Sequence, residues 1–351
     1  MYEVDFLPVE AADGPSEKSG DAITVRFTRA QDDSQRVMVI DAGFSDVGQD
    51  VVDHVGKYYG TTHVDLVVST HPDTDHLNGL KTVVEQLDVD ELLIHQPRLH
   101  THSLGNFTNL DAVDELIATA KKHGTKVTEP FTGLSRFEDQ VLILGPSESF
   151  YESKLAEQLD EGNKLRAALE RHLAASSLVS TNATDPLSKT QTWYPPETLD
   201  EGGETSPRNE TSVVMLLRCD ERRLLFTGDT GLEGLGQAAD HYESMVGPFP
   251  YFPLNLFQIP HHGSRRNLSP SLLDRILGTE DNPFASTSAI ASSAKANLKH
   301  PSPKVTNAIG RRGVTALATE GKSICSHHNG PARIGWGPVK PIGPLVEDAD
   351  D

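Results

Sequence analysis

Four potential metal ligands occur within six residues of this chain: His71, Asp73, Asp75 and His76 follow the apolar run over residues 64–69. In a loop just beyond a buried strand, residues two apart can point into one pocket. Asp75 and His76, at the start of a helix, would project toward a second position. Imidazole and carboxylate ligands suit zinc, manganese or iron. The spacing therefore predicts a metal site in which a single loop serves two cations.

A polar turn with a helix cap is the alternative for this motif. Asp73 or Asp75 would then cap a helix beginning near His76, where a carboxylate is favourable at the positive end of the helix dipole.

Three later segments place polar residues at the ends of apolar runs. Asp229 ends the run over residues 224–229, where a Gly-Asp pair can present a carboxylate at a sheet edge, although such a pair alone more often marks a turn. His261 and His262 follow the run over residues 257–259, and paired histidines at a strand end seldom serve packing. His300 precedes Pro301 and could bind phosphate, act as a general acid or cap a helix.

The elements that must position these residues follow an α/β pattern. Short β-rich runs alternate with helical patterns over residues 1–145, with early antiparallel hairpins, and the same pattern resumes after residue 212. We expect a helix over 76–87, a hairpin from the runs 212–218 and 223–226, and a closing pair of strands over 315–317 and 323–326.

The organisation predicted is a single domain over residues 1–335 with an insertion at 151–209 and a flexible acidic tail at 336–351. The insertion begins with a helical pattern and continues with a stretch rich in Ser, Thr, Pro, Gly and acidic residues. Its Trp193 and Tyr194 suggest a lid over the mouth of the site, and a disordered spacer is the alternative.

Charge and hydropathy limit the functional class. The formal net charge of −20 argues against a broad nonspecific grip on nucleic acid, although not against a local basic patch. No apolar stretch approaches a membrane span and no signal peptide begins the chain, so a cytoplasmic protein with no membrane partner is expected. Cys219 and Cys325 lie in apolar runs without a paired spacing, which predicts two buried thiols.

The motifs together resemble the metallo-β-lactamase-fold hydrolases, and within them the nuclease-like domain of ComEC DNA-uptake proteins and its stand-alone soluble relatives. The matching stretches are residues 20–23, 40–43, 69–79, 209–212, 226–229, 260–264 and 297–301, and they occur in family order across roughly residues 20 to 325. The resemblance implies an αββα sandwich with two metals at one edge between its sheets. DNA transport is not implied, because the membrane channel and the nucleic-acid-binding barrel of full-length ComEC proteins have no counterpart in this sequence.

The resemblance also implies ligand roles. His71 and Asp73 would bind the first metal, and Asp75 and His76 the second, with Asp229 bridging them. One of His261 and His262 would complete the second site, while the other could contact phosphate or donate a proton. Asp41 would orient a ligand histidine rather than bind metal.

Two departures from the family pattern concern the first metal. Asp73 replaces the second histidine of the commoner HxHxDH motif, as is usual in the ComEC-like branch. The histidine that many members place before the bridging aspartate has no clear counterpart, since we expect the histidines in that interval to be surface residues; they are His95, His100, His102, His123 and His172. The first metal is therefore expected to bind loosely, or only with substrate.

The predicted function is hydrolysis of phosphodiester bonds, as a nuclease or nucleotide phosphodiesterase, by a metal-bound hydroxide at a centre of two divalent ions, Zn or Mn. The predicted catalytic residues are Asp75, His261, His262 and His300, and the pair Arg265–Arg266 is placed to meet a phosphate, or is simply an exposed loop pair. The acidic balance favours small nucleotides, short single strands or DNA delivered by a partner. The alternatives are a hydrolase of another ester or lactone class and a non-catalytic metal-binding component of a multiprotein system.

Overall fold

The computed structural model describes residues 1–10, 18–105, 107–172, 190–284, 287–297 and 299–347, except for the side chains of residues 161–172. Two seven-stranded sheets form its centre. The first sheet has the order β14-β1-β2-β3-β4-β5-β6 and consists of β1 Tyr2–Phe6, β2 Ala22–Thr28, β3 Gln35–Ala42, β4 His63–Val68, β5 Asp88–Leu93, β6 Lys126–Thr128 and β14 Ile324–His328. The second has the order β13-β12-β11-β10-β9-β8-β7 and consists of β7 Ser135–Arg136, β8 Val141–Gly145, β9 Val214–Cys219, β10 Arg222–Phe226, β11 Leu256–Gln258, β12 Ser288–Ala291 and β13 Thr315–Ala318.

Helices connect and cover the strands. They are α1 Val47–His54, α2 Thr74–Leu77, α3 Leu80–Gln86, α4 Pro97–His100, α5 Leu110–Lys122, α6 Glu148–His172, α7 Pro207–Glu210, α8 Leu232–Met245, α9 Pro270–Leu277 and α10 Pro303–Arg311. A π-helical turn at Val55–Tyr59 extends α1, and a 3₁₀ turn at Pro260–Gly263 follows β11. Within the described residues, no helix is both long enough and apolar enough to cross a membrane.

Three apolar layers hold the sheets and helices together. Between the sheets, side chains such as Phe6 and Ile40 of the first meet Met215 and Phe226 of the second. The other face of the first sheet is covered by α1, α3 and α5, and the other face of the second by α8, α9 and α10. Because each sheet buries one face against the other sheet and one against helices, the architecture is an αββα sandwich. The predicted α/β fold class is confirmed.

Parallel strands direct the polar motifs to one edge. The strands β3, β4, β5 and β6 pair in parallel in the first sheet, and β10, β11, β12 and β13 do so in the second. The carboxyl ends of parallel strands share an edge, where open α/β sheets commonly form their sites. The segments that follow β3, β4, β10 and β11 therefore meet, and they carry the residues discussed below.

Two of the predicted elements differ in the structure. The helix expected over 76–87 is two helices, α2 and α3, separated at Asn78 and Gly79. A methyl group on Gly79 would lie 2.0 Å from the carbonyl oxygen of Ala42, so close packing against β3 requires glycine at the break. The expected closing pair is wrong as well, because β13 pairs with β12 whereas β14 pairs with β1 in the other sheet. The hairpin of β9 and β10 is confirmed.

The segments predicted as insertion and tail also touch each other. Within residues 151–209, α6 accounts for the first part, residues 173–189 lie outside the described ranges, and Thr190 forms a bridge with Leu345. Leu345 is buried, and its backbone N–H donates to Asn307 of α10 at 2.9 Å. Residues as far as Glu347 thus contact the sandwich, and residues 348–351 lie outside the described ranges.

Candidate metal centre

Asp229 lies at the centre of the site, directly after β10. Its Oδ1 is 3.4 Å from Nε2 of His76, and its Oδ2 is 3.7 Å from Nε2 of His71. The same Oδ2 lies 3.6 Å from Nε2 of His261 and 3.8 Å from Nε2 of His262. Four imidazoles from two separate strand ends therefore surround one buried carboxylate.

These distances are those of ligands sharing an ion rather than of hydrogen bonds. An N–H···O hydrogen bond spans about 2.7–3.2 Å, whereas two ligands each about 2.0–2.1 Å from a tetrahedral ion lie roughly 3.4 Å apart. Four of the atoms involved are buried and have no hydrogen-bond partner: Nε2 of His71, His76 and His262, and Oδ1 of Asp229. Buried polar atoms normally find a partner, so their convergence fits bound cations.

One side of Asp229 is formed by Asp75, His76 and His262, whose potential ligand atoms all lie within 4.8 Å of one another. The Oδ2 of Asp75 is 4.0 Å from Nε2 of His262. His76 is fully buried and His262 is 5% exposed. We call this set the inner side.

Asp41 orients the inner side from β3. Its Oδ2 accepts a hydrogen bond from Nδ1 of His76 at 2.8 Å, and its two oxygens also accept from the backbone N–H and the hydroxyl of Thr70 at 2.8 and 2.5 Å. A carboxylate on Nδ1 leaves Nε2 free and more basic, as is usual for a metal-bound histidine. The contact agrees with the orienting role that the resemblance implies for Asp41.

The other side of Asp229, which we call the outer side, is formed by His71, Asp73 and His261. The Oδ2 of Asp73 lies 3.7 Å from Nε2 of His71, and Nδ1 of His261 lies 3.1 Å from Oδ1 of Asn267. The side chain of His261 is 30% exposed. Each side thus includes a partly exposed ligand, because the side chain of Asp75 on the inner side is 28% exposed.

An arginine meets Asp73 on the outer side. Nε of Arg208, from the short helix α7, is 2.6 Å from Oδ1 of Asp73. Neither atom has a hydrogen bond, so the contact is an ion pair of unfavourable angle. Asp73 occupies the N-cap position of α2, but its side chain makes no capping hydrogen bond, so the capping alternative for this residue is wrong. Its carboxylate faces Arg208 and His71.

The backbone and the charges at the site are unusual. His261 and His262 are consecutive non-glycine residues with φ of 49° and 57°, in the sparsely populated left-handed region, where strain often accompanies function. Burial by itself would raise the pKa of Asp229, but His261, His76 and His262 hold that pKa well below its usual range. Asp229 is thus an anion that the surrounding groups stabilise.

His300 lies at the rim of the centre. Its ring is 6.1 Å from that of His261, and its Nδ1 is buried without a hydrogen bond. Burial, reinforced by His262 and His261, lowers the pKa of His300 to about 3. Its imidazole is therefore neutral near pH 7. Arg265 and Arg266 follow the 3₁₀ turn, and Arg266 is exposed.

A narrow pocket adjoins the outer side. Its walls include His71, Arg208, His95, Tyr151 and Leu155, and it encloses about 20 Å³, room for about one water molecule. His95 was expected at the surface, and that prediction is wrong. Its ring is buried against Tyr151 at 4.4 Å, and both of its nitrogens lack hydrogen bonds.

The other six predicted ligands come together around Asp229, and sequence reasoning missed two neighbours. Arg208 belongs to no local motif, so no pattern indicated it. Asp21 was part of a matching stretch but had no role assigned; its Oδ2 accepts from Gln258 at 2.8 Å and lies 3.7 Å from Nδ1 of His76. Its position in a Gly-Asp turn before a strand was the available signal.

Comparison with known proteins gives matches among solved structures. No family model and no curated protein matches the chain. A protein given as a candidate metallo-β-lactamase from Thermotoga maritima shares 13% identity at a TM-score of 0.34, with 65% of this chain and 78% of that chain covered. A mutant of the CmlA β-hydroxylase shares 11% identity at a TM-score of 0.43, with 93% and 54% covered. Unliganded yeast PDE1 shares 11% identity at a TM-score of 0.31, with 91% and 88% covered.

These structural neighbours are metallo-β-lactamase-fold proteins. This chain spans about half the length of the CmlA structure. With TM-scores below 0.5, the overlap carries no weight for substrate or mechanism, and the resemblance to the ComEC-like branch stays a prediction. The αββα architecture rests on the two sheets and their helix layers, and the candidate metal centre rests on its own geometry.

Proposed function

We propose that this protein is a metal-dependent hydrolase that cleaves phosphodiester bonds. The observation that carries the proposal is the set of unpaired ligand atoms around Asp229, at distances too long for hydrogen bonds and suited to shared ions. Arg208 and His300 flank that set with groups that can donate hydrogen bonds to anionic oxygens. Such a combination favours a phosphate ester over a neutral carboxylic ester.

We propose that this set of residues binds two ions, zinc or manganese. Asp75, His76 and His262 would hold one ion on the inner side, and His71, Asp73 and His261 the other on the outer side, with Asp229 shared. The mixed nitrogen and oxygen donors fit these metals. A bound divalent cation supplies Lewis acidity, which polarises a substrate oxygen and eases the loss of a proton from water.

The protein's own groups would orient the substrate and manage charge. A guanidinium can donate two parallel hydrogen bonds to a phosphate, so Arg208 would position a non-bridging oxygen. His300, being neutral, would donate its ring N–H to a phosphate oxygen rather than a proton to the leaving group. The leaving oxygen would then take its proton from water at this partly exposed edge, because His261 is itself a proposed metal ligand.

We propose small nucleotides or short single strands of nucleic acid as the substrate class. Longer DNA would have to be delivered to the site by a protein partner. The net charge of −20 disfavours a long electrostatic contact with a duplex. Localised cationic groups at the rim would still suffice for one or two phosphates.

The test is an activity screen on purified protein of known metal content. Bis-p-nitrophenyl phosphate, cyclic nucleotides, RNA, linear DNA and simple esters would be assayed with Mn²⁺, Mg²⁺ and Zn²⁺. We expect metal-dependent cleavage of phosphodiesters that Asp75→Ala and Asp229→Ala abolish. Asp53→Ala, on the exposed face of α1, is the matched control and should keep full activity.

Each outcome separates the candidate functions. Phosphodiester cleavage that survives both site substitutions would show contamination or another site and would reject the proposal. Turnover of esters alone would identify a hydrolase of another class. Stoichiometric metal without turnover of any substrate would indicate a non-catalytic component.

A further inference from the structure

The inner and outer sides of the centre differ in one respect that affects metal occupancy: a cation of the protein itself sits on the outer side. Nε of Arg208 is 2.6 Å from Oδ1 of Asp73, and both side chains are 22% exposed. On the inner side, the described contacts of Asp75 bring His262 near it and no arginine or lysine. Asp73, in turn, belongs to none of the groups of three potential ligands found among the described residues.

We propose that Arg208 controls the outer metal position by holding Asp73, and that a phosphate-bearing ligand releases Asp73 by taking Arg208. This inference rests on the proposed function for the identity of the ligand. It assigns to Arg208 a positioning role toward the metal as well as a binding role toward the phosphate. The outer ion and the substrate phosphate then bind cooperatively.

The exchange follows from charge. A divalent cation bound by Asp73 and His71 would stand beside the guanidinium, and like charges at such range repel each other. A phosphate carries negative charge that both cations attract, and it offers Arg208 a bidentate partner in place of a single misaligned contact. The phosphate therefore reduces the repulsion between the outer ion and Arg208, and at the same time it frees the carboxylate of Asp73.

The anchoring of Arg208 suits such a movement. Its backbone is fixed, since Ser206 caps α7 by accepting from the N–H of Asn209 at 3.1 Å and the carbonyl of Arg208 accepts from the hydroxyl of Thr211 at 2.7 Å. The guanidinium, by contrast, has an Nε without a hydrogen bond and lines the pocket beside His71. A fixed backbone with a poorly satisfied head group can change partners without moving the fold.

Metal binding tests the proposal without relying on turnover. Chelator-stripped protein would be titrated calorimetrically with Mn²⁺, with and without inorganic phosphate as the probe. For the wild type we expect one tight ion, and a second at least about tenfold weaker that phosphate strengthens within the roughly 5–150-fold range of typical coupling. The second ion must strengthen phosphate binding by the same factor, because coupling is reciprocal.

Arg208→Gln separates this coupling from simple bridging of two ions by phosphate. In that variant the second ion should bind without phosphate about as tightly as in the phosphate-bound wild type, and phosphate should add less than about threefold. Arg98→Gln is the matched control, because Arg98 forms an exposed ion pair with Asp114 at the same distance of 2.6 Å. It should behave as the wild type does.

The first ion provides the check on folding. A variant that binds the first ion with wild-type affinity is folded at the centre. If Arg208→Gln loses that ion, the wild type is compared with Asp73→Asn instead. In Asp73→Asn, phosphate should no longer strengthen the binding of a second ion. Two equally tight ions in the wild type without phosphate, or an unchanged phosphate effect in Arg208→Gln, would overturn the inference. Phosphodiesterase activity is measured separately, so coupling without turnover would refute the proposed function alone.

Discussion

The inner and outer sides of the centre share Asp229 but differ in how completely the protein prepares them. On the inner side, His76 is fully buried and is oriented by Asp41 through a 2.8 Å hydrogen bond. On the outer side, His261 is 30% exposed and Asp73 is engaged by Arg208. A site whose ligands are oriented by other buried groups loses little on binding an ion, whereas one whose ligand is paired elsewhere must first break that pair.

The difference explains how one loop can serve two positions unequally. His71, Asp73, Asp75 and His76 come from a single segment, yet His76 contacts Asp41 of β3 whereas Asp73 contacts Arg208 of α7. The spacing of the motif offers two ligands to each metal position and does not distinguish the two positions. The asymmetry comes from the neighbours that the fold supplies.

The largest effect on metal binding should come from two single variants, each of which removes one imidazole from one side. His76→Ala deletes a ligand of the inner side and should abolish turnover. The loss of metal affinity should exceed the roughly 10–100-fold that is typical when a residue supporting a ligand is removed. His71→Ala should remove the weaker ion and leave the tight one. Metal content after dialysis, measured by mass spectrometry, checks both. Equal loss of both ions in the two variants would contradict the distinction between the sides.

A smaller effect is expected from Asp41→Asn. The variant keeps the shape of the side chain but weakens the acceptor for Nδ1 of His76, so the tight ion should bind roughly 10–100-fold more weakly. Titration with Mn²⁺ measures it. Asp65→Asn is the matched control, because Asp65 is also buried and accepts a backbone N–H, from Val37 at 2.8 Å, away from the centre. A comparable loss in that variant would assign the effect to stability rather than to orientation.

Much of the site could be predicted because its ligands follow apolar strands. Asp229, His261 and His262 each lie directly beyond a run that forms a strand, and parallel strands carry such residues to one edge regardless of the connecting chain. Arg208 could not be found in this way. Its contact with Asp73 joins helix α7 to the start of α2, far apart in sequence, and neither segment has a pattern that specifies the other.

The parts of the fold that prediction missed also depend on contacts between distant segments. The break between α2 and α3 arises where Gly79 meets Ala42, and nothing within 76–87 itself excludes one continuous helix. Likewise, β14 closes the first sheet beside β1 although β13 precedes it in the second. Periodicity identifies a strand but not its partner.

The smallest expected effect concerns His95, whose ring nitrogens are buried without hydrogen bonds although it is not a proposed metal ligand. It contrasts with the imidazoles of the centre. Burial, with a further contribution from His100, lowers the pKa of His95 to about 3. An unfolded chain takes up a proton at this residue below about pH 6.5, whereas the folded protein does so only near pH 3. The folded state therefore loses stability as pH falls through that interval, by up to about 2 kcal/mol at pH 5.

His95→Phe should remove this loss, because a phenyl ring can keep the packing against Tyr151 and cannot be protonated. The free energy of unfolding in urea should then fall less between pH 7 and pH 5 than it does in the wild type, both with and without Mn²⁺. His123→Gln, at an exposed position, should leave the pH dependence unchanged. If metal abolished the difference between His95→Phe and the wild type, His95 would have to be coupled to the ions, and the boundary of the centre would extend into the pocket.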